Sequence, residues 1–332
     1  MNHIVSYIVL FILSLISSII LIKLLIKQLS FWGIIDIPSK RRAHKIATPS
    51  GGGLFVVIIF TIGLIGFECL VTDTLVHSIK IIPIFLIIAT ISFLDDIKPI
   101  NPFTRLIVHL VCIGLSILLY PLPLLHQFLP SGVDIIVATI LFTGFVNIYN
   151  FLDGLDGITS VESIHLSITM LILCVLKFDT IINVDLIIVI ILIILSCSIS
   201  FLIFNWHPAK IFLGDVGSIS VGFLLGFCLL LISASSANLL ISCIIASLYY
   251  IGDGGGTILI RLINKEKIWE PHLKHFFQKA VVRGMHTKQI IKRIIICNFL
   301  LMLLSINALY YPMISFISAL LVTFITLIKF AK

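Results

Sequence analysis

Residues 133–157 read VDIIVATILFTGFVNIYNFLDGLDG. The apolar part, to about residue 152, matches the roughly 20 residues a helix needs to cross hydrocarbon. Its end carries Asn147, Asn150, Asp153 and Asp156. On a helix Asn147 and Asn150 share a face, with Asp153 one turn on. Carboxylates beside a membrane helix are expensive and usually functional. One stretch therefore offers both a membrane span and a set of oxygen donors at its end.

The whole chain follows this pattern. Of 332 residues, 60% are hydrophobic and 11% are charged, with a mean hydropathy of +1.24. Soluble domains are roughly a quarter charged, so a soluble globule, a disordered chain, a disulfide scaffold and a nucleic-acid-binding domain are all excluded. Apolar runs of bilayer length fall at 4–26, 54–72, 79–94, 103–120, 133–152, 161–177, 181–204, 219–234, 236–252, 294–309 and 311–330. Spanning segments must satisfy their backbone hydrogen bonds internally. The expected fold is all-α: a polytopic integral membrane protein of 10–11 helices forming one domain over 1–332. The run at 4–26 is too long for a signal-peptide core and reads as a retained span. The seven cysteines lie scattered in apolar runs without CxxC spacing and read as small buried hydrophobes.

Charge sets the orientation. With the N-terminus outside, every Lys and Arg except Lys80 and Lys177 lies at or near the inner side, as the positive-inside rule requires. The net charge of +7 is then topology plus phosphate binding, with no nucleic acid. Asp95, Asp96, Asp153, Asp156, Asp215 and Asp253 fall at helix ends on that same side, whereas Asp73, Asp134 and Asp179 read as solvated loop residues on the other.

Four inner loops carry the chemistry. The first, residues 38–53, places Arg42, His44 and Lys45 before Gly51-Gly52-Gly53. Basic residues and a glycine-rich turn can hold phosphate through charge and backbone N–H groups. The second has adjacent Asp95 and Asp96 followed by Lys98, suited to metal–diphosphate binding or proton transfer. The third is the Asn147–Gly157 stretch, an array for Mg²⁺ or sugar. The fourth offers Asn205, Lys210 and Phe212 before Gly214-Asp215-Val216-Gly217-Ser218: a carboxylate between glycines, a lysine for phosphate and an aromatic for a base.

These strings, N-x-x-N-x-x-D-G-x-D-G and N-x-x-P-A-K-x-F-x-G-D-x-G-S, resemble the polyprenyl-phosphate N-acetylhexosamine-1-phosphate transferases (glycosyltransferase family 4 type), over about residues 38–278. Asp253, Thr257 and Arg261, followed by Trp269-Glu270-Pro271-His272 and His275, are similar to the branch that initiates O-antigen and surface glycans. The peptidoglycan lipid I enzymes carry three consecutive histidines there. Lys98 falls one place short of the family's lysine.

The resemblance implies transfer of N-acetylhexosamine-1-phosphate from a UDP-sugar to undecaprenyl phosphate in the bacterial inner (plasma) membrane, releasing UMP. It implies Mg²⁺, with Mn²⁺ as a substitute, on Asp215 and Asn150. Asp95 would deprotonate or orient the lipid phosphate, supported by Asp96, and Asp153 and Asp156 would order the metal site and nucleotide. Phe212 would stack on uracil. Arg42, His44, Lys45, Asn147, Asn205, Lys210, Arg261, His272 and His275 would contact substrate. A homodimer remains open. The alternatives are the peptidoglycan lipid I reaction, a membrane prenyltransferase using Asp95-Asp96, and a transporter, which would place polar groups at helix midpoints and show inverted repeats.

Overall fold

The structure is a computed structural model, and it describes residues 2–37, 47–121, 123–125, 129–267 and 272–332. Among them, ten helices are long and apolar enough to cross a membrane, and a bent pair makes an eleventh. In chain order these are α1 (Asn2–Trp32), α2 (Leu54–Phe67, extended by a π-helical turn to Thr72), α3 (Val76–Ile97), α4 (Pro102–Leu119), α5 (Ser131–Phe151), α6 (Ile158–Leu176), α7 (Val184–Asn205) and α8 (Gly214–Ser233). Next come α9 (Ala237–Ala246), the short α10 (Leu248–Tyr250), a second π-helical turn (Ile251–Gly255) and α11 (Gly256–Ile263). A short α12 (Phe276–Val282) precedes α13 (Thr287–Asn307) and α14 (Pro312–Ala331). Ile35–Asp36 (β1) and Thr48–Pro49 (β2) form one antiparallel pair between α1 and α2.

The expected spans are all present, with two differences. Several helices start earlier or run further than their apolar cores: α3 extends to Ile97 and α13 begins at Thr287. Charged residues such as Lys288, Lys292 and Arg293 end the hydrophobic run without ending the hydrogen-bonded ladder. The run at 236–252 is not a straight span. It breaks after α9 and bends by 60° into the Leu248–Ile263 segment. Glycines permit the packing at this break: a Cβ on Gly254 would lie 2.4 Å from Ile148 Cγ2, and one on Gly252 would lie 2.8 Å from Thr323 Cγ2. Gly252 and Gly254 thus let the broken segment lie against α5 and α14, which accounts for part of the glycine run at 254–256.

Helix α8 is the axis of the bundle. Its central window is wholly buried, and it packs against α2, α3, α5, α6, α7 and α9. In lipid, small residues allow such close approach: a Cβ on Gly226 would meet Phe142 Cε2 at 2.3 Å, and one on Gly222 would meet Tyr149 Cβ at 3.1 Å. The far end of the bundle corrects one reading. Asp134 is buried, and its two oxygens accept from Leu124 N at 2.8 Å and Leu125 N at 2.9 Å. It folds the α4–α5 connection and is not a solvated loop acid.

Candidate active site

Up-and-down connectivity brings the C-terminal ends of α1, α3, α5 and α7 together with the N-terminal ends of α2, α4, α6 and α8. A cavity of about 1170 Å³ opens at this end. Of the expected site residues it is lined by Asp95, Asp96, Asn150, Asp153, Asp156, Asn205, Phe212 and Asp215. These positions are separated by up to 120 residues in sequence. They meet because every motif follows or precedes a span at the same end.

Asp96 and Asp215 form the hinge of the site. Asp96 Oδ1 accepts from Asp215 N at 2.8 Å and Oδ2 accepts from Val216 N at 2.9 Å. The last turn of α3 thereby caps the first turn of α8, satisfying N–H groups that a helix start leaves open. Gly214 has φ +74°, and a Cβ there would lie 2.7 Å from Asp96 Oδ2. Glycine is needed on both counts. Gly217 is in backbone contact with Gly53: a Cβ on Gly53 would lie 2.0 Å from Gly217 Cα.

This contact revises the reading of the first loop. Gly52 N donates to Phe212 O at 2.9 Å and Gly53 N to Leu213 O at 2.7 Å. The glycine turn therefore spends these two N–H groups on fixing the fourth loop, not on phosphate. Arg42, His44 and Lys45 lie outside the described residues.

Arg105 is the residue that sequence reasoning missed. It sits in the first turns of α4, whose start is set by Asn101 accepting from Phe103 N and by Pro102. Its Nη1 contacts the Asp95 carboxylate and donates to Asp215 Oδ2 at 2.5 Å. Asp95 also accepts from Ile100 N at 2.6 Å. Asn150 Nδ2 donates to Asp215 Oδ1 and to Ser218 Oγ, both at 2.9 Å. Lys98, the nearer basic residue in sequence, caps the end of α3 and is exposed. The cation that meets the aspartates lies ten positions after Asp95, on the next helix, and only the turn between α3 and α4 brings it back.

Asp153 lies past the end of α5 and accepts from Thr159 Oγ1 at 2.5 Å. Burial, aided by the Asp215 and Asp156 charges, pushes its carboxyl up to about 6, with the Thr159 bond opposing. Asp156 accepts from His207 Nδ1 at 2.7 Å and Ala209 N at 3.1 Å. Asn205 accepts from Gly157 N at 2.7 Å and donates to Ile211 O at 2.9 Å. Asp156 and Asn205 thus brace the fourth loop while lining the cavity. Asn147 donates within its own helix to Thr143 O at 2.8 Å, and Lys210 is exposed. Neither belongs to the cavity lining.

A further wall is made by Leu273 and by Phe277 and Gln278 of α12. Arg261, His272 and His275 do not line the cavity. Arg261 is buried and donates to Glu266 Oε2 at 3.1 Å and Lys267 O at 2.5 Å. His275 caps α12, with its Nδ1 3.4 Å from Asp253 Oδ1. Burial, followed by the nearby His275, Arg261 and Lys274 charges, lowers His272 to about 4. His272 is therefore neutral near pH 7.

The sequence model described as glycosyl transferase family 4 matches residues 78–233. Over that stretch, just under half of its length, the chain is similar to glycosyl transferase family 4. The family 4 match takes in Asp95, Asp96, Arg105, Asn150, Asp153, Asp156 and Asp215, and stops before the broken span and α12. Among curated relatives, a probable undecaprenyl-phosphate N-acetylglucosaminyl 1-phosphate transferase of Bacillus subtilis (strain 168) is 26% identical, over 81% of this chain and 75% of its own length. A phospho-N-acetylmuramoyl-pentapeptide-transferase of Orientia tsutsugamushi (strain Ikeda) is 26% identical over 93% of this chain and 94% of its own. One from Streptococcus thermophilus (strain CNRZ 1066) is 29% identical over 56% of this chain and 59% of its own.

Proposed function

We propose that the protein transfers an N-acetylhexosamine-1-phosphate from a UDP-sugar to undecaprenyl phosphate, making the lipid-linked first sugar of a cell-envelope glycan of the O-antigen type. The observation that carries this reading is the convergence of Asp95, Asp96, Asn150, Asp153, Asp156 and Asp215 on one cavity at one end of a membrane bundle. A phosphorylated lipid brings its headgroup to that level from the bilayer, and a nucleotide sugar reaches it from water. We place this end, with nearly all the Lys and Arg, on the cytoplasmic side of the bacterial plasma membrane.

In the reaction a phosphate oxygen of the lipid attacks the β-phosphorus of the UDP-sugar. The bond from that phosphorus to the bridging oxygen breaks, and the electron pair leaves on UMP. Catalysis of such a transfer is mostly positioning and charge neutralisation. Asp95 orients the lipid phosphate and accepts its remaining proton, Arg105 holds the Asp95 and Asp215 carboxylates together, and Asp96 fixes where Asp215 points. Phe212 offers its ring to the uracil.

Among the described residues no group of three His, Cys, Asp or Glu forms a ready metal cage. The donor set still suits Mg²⁺, which is held by one or two carboxylates together with substrate phosphates and water. Two carboxylates, Asp95 and Asp215, already share one cationic partner in Arg105. Asp215, with the Asn150 amide oxygen, would hold the ion, and when bound it neutralises charge on the diphosphate.

The peptidoglycan reaction is the second reading, favoured by the extent of the Orientia relative. Purified protein assayed with undecaprenyl phosphate and a panel of UDP-N-acetylhexosamines, beside UDP-N-acetylmuramoyl-pentapeptide, separates the two. UMP release with the pentapeptide donor alone would overturn the main reading.

A further inference from the structure

Asp253 is fully buried at the π-helical turn just past the bend of the broken span. Its two oxygens accept from Phe276 N at 2.8 Å and Phe277 N at 3.1 Å, the first two residues of α12. This repeats the construction at Asp96, where one carboxylate takes two consecutive N–H groups at the start of α8. Here the capped helix is a wall of the cavity and not the helix that carries Asp215.

Both ends of this support are anchored on the acid-bearing elements. The turn holding Asp253 is packed on α5 through Gly254 and Ile148, two residues before Asn150. At the other end, a Cβ on Gly154 would lie 3.3 Å from Phe277 Cζ and 3.7 Å from Gln278 Nε2. Gln278 Oε1 in turn accepts from His275 N at 3.2 Å. Helix α12 is thus set in register with Asn150 and Asp153 from two sides. It lies between the segments Leu248–Ile263 and Thr287–Asn307, outside the spanning helices. The lipid acceptor comes from the bilayer, so the soluble donor is the substrate that meets a wall on the water side.

We infer that Asp253 is a positioning residue for nucleotide-sugar binding, acting by fixing α12 as the donor-side wall of the cavity. The inference rests on the proposed function for its substrate and on the hydrogen bonds alone for its mechanics. Asp253→Asn keeps one acceptor oxygen of the two. In the intact protein in lipid nanodiscs, hydrogen exchange at the Phe276 and Phe277 amides then rises, because their protection is that pair of bonds. The KM for UDP-sugar rises by about ten-fold or more, as expected for loss of a charged hydrogen bond, while the KM for undecaprenyl phosphate holds.

Phe276→Pro probes the same bond from the other partner without touching the buried carboxylate, since proline is accommodated at the first position of a helix. It gives the same donor-specific rise, and the double variant is little worse than Asp253→Asn. Unchanged amide exchange in Asp253→Asn, or an equal loss toward both substrates, overturns the inference. Exchange is read without substrate, so a wild-type protein that released no UMP would defeat the proposed function and with it the donor role, while exchange would still decide whether Asp253 fixes α12.

Discussion

Asp96, at the end of α3, accepts a 2.8 Å hydrogen bond from the backbone N–H of Asp215, 119 positions later at the start of α8. The second of two adjacent aspartates therefore acts on the backbone of a third. Asp95 and Asp96 are neighbours in sequence and both line the cavity, with different work: one meets Arg105, the other caps a helix.

A capping role for Asp96 predicts a graded series. Asp96→Ala loses both acceptors, costs about 1 kcal/mol of stability as cap deletions do, and lowers UMP release by roughly a hundred-fold through displacement of Asp215. Asp96→Asn, which can still accept once, falls between wild type and Ala on both scales. Thermal melting together with UMP release checks this, and equal loss in Asn and Ala would exclude the graded cap.

Arg105→Ala leaves the Asp95 and Asp215 carboxylates facing one another without their shared cation. Turnover is expected to fall by about a hundred-fold or more. Arg105→Lys recovers part of it, because a single nitrogen meets both carboxylates here and an ammonium can stand in for one nitrogen. Steady-state assays of the two variants test the point; full activity in Arg105→Ala would remove the residue from the site.

Burial raises Asp153 to about 6, against 3.8 for the free side chain. The folded protein holds this proton more tightly than the unfolded chain, so the stabilising effect is complete below pH 3.8 and lost as pH rises through about 6. If the ionised form binds donor, kcat/KM falls on the acid side with an apparent pKa near 6. That limb shifts in Asp153→Asn. A profile flat from pH 5 to 7 in wild type would contradict the assignment.

Gly53→Ala drives a methyl group into the Gly217 backbone. Overpacking of this kind costs about 2 kcal/mol, and here it also separates the first loop from Phe212 and Leu213. Gly66→Ala in α2, the helix that Gly53 precedes, meets nothing within 4 Å and serves as the tolerated control. Melting of both in detergent measures the difference.

Much of this was readable beforehand, for physical reasons. Bilayer thickness fixes span length, so eleven apolar runs could be placed from composition, and motifs at alternate loops had to share one end of the bundle. Asn150 and Asp215, 65 positions apart, meet as that argument requires. Arg105 was not legible, because a lone arginine opening an apolar helix looks like an ordinary interfacial charge until the α3–α4 turn folds it back. The roles of Gly52, Gly53 and Asp134 were also hidden. Backbone hydrogen bonds leave no mark on side-chain pattern, and a buried carboxylate taking two N–H groups is spelled like a solvated one. His272 and His275 belong to the expected motif, yet it is Phe277 and Gln278, beside them in sequence, that line the cavity.

The most direct measurement is UMP release by purified protein from a UDP-N-acetylhexosamine, with and without undecaprenyl phosphate and Mg²⁺, in wild type and Asp215→Asn. The arrangement of Asp95, Arg105, Asn150 and Asp215 predicts release that requires both additions and is lost in the variant while its melting temperature holds. Release that persists without the lipid, or at the wild-type rate in Asp215→Asn, would contradict it.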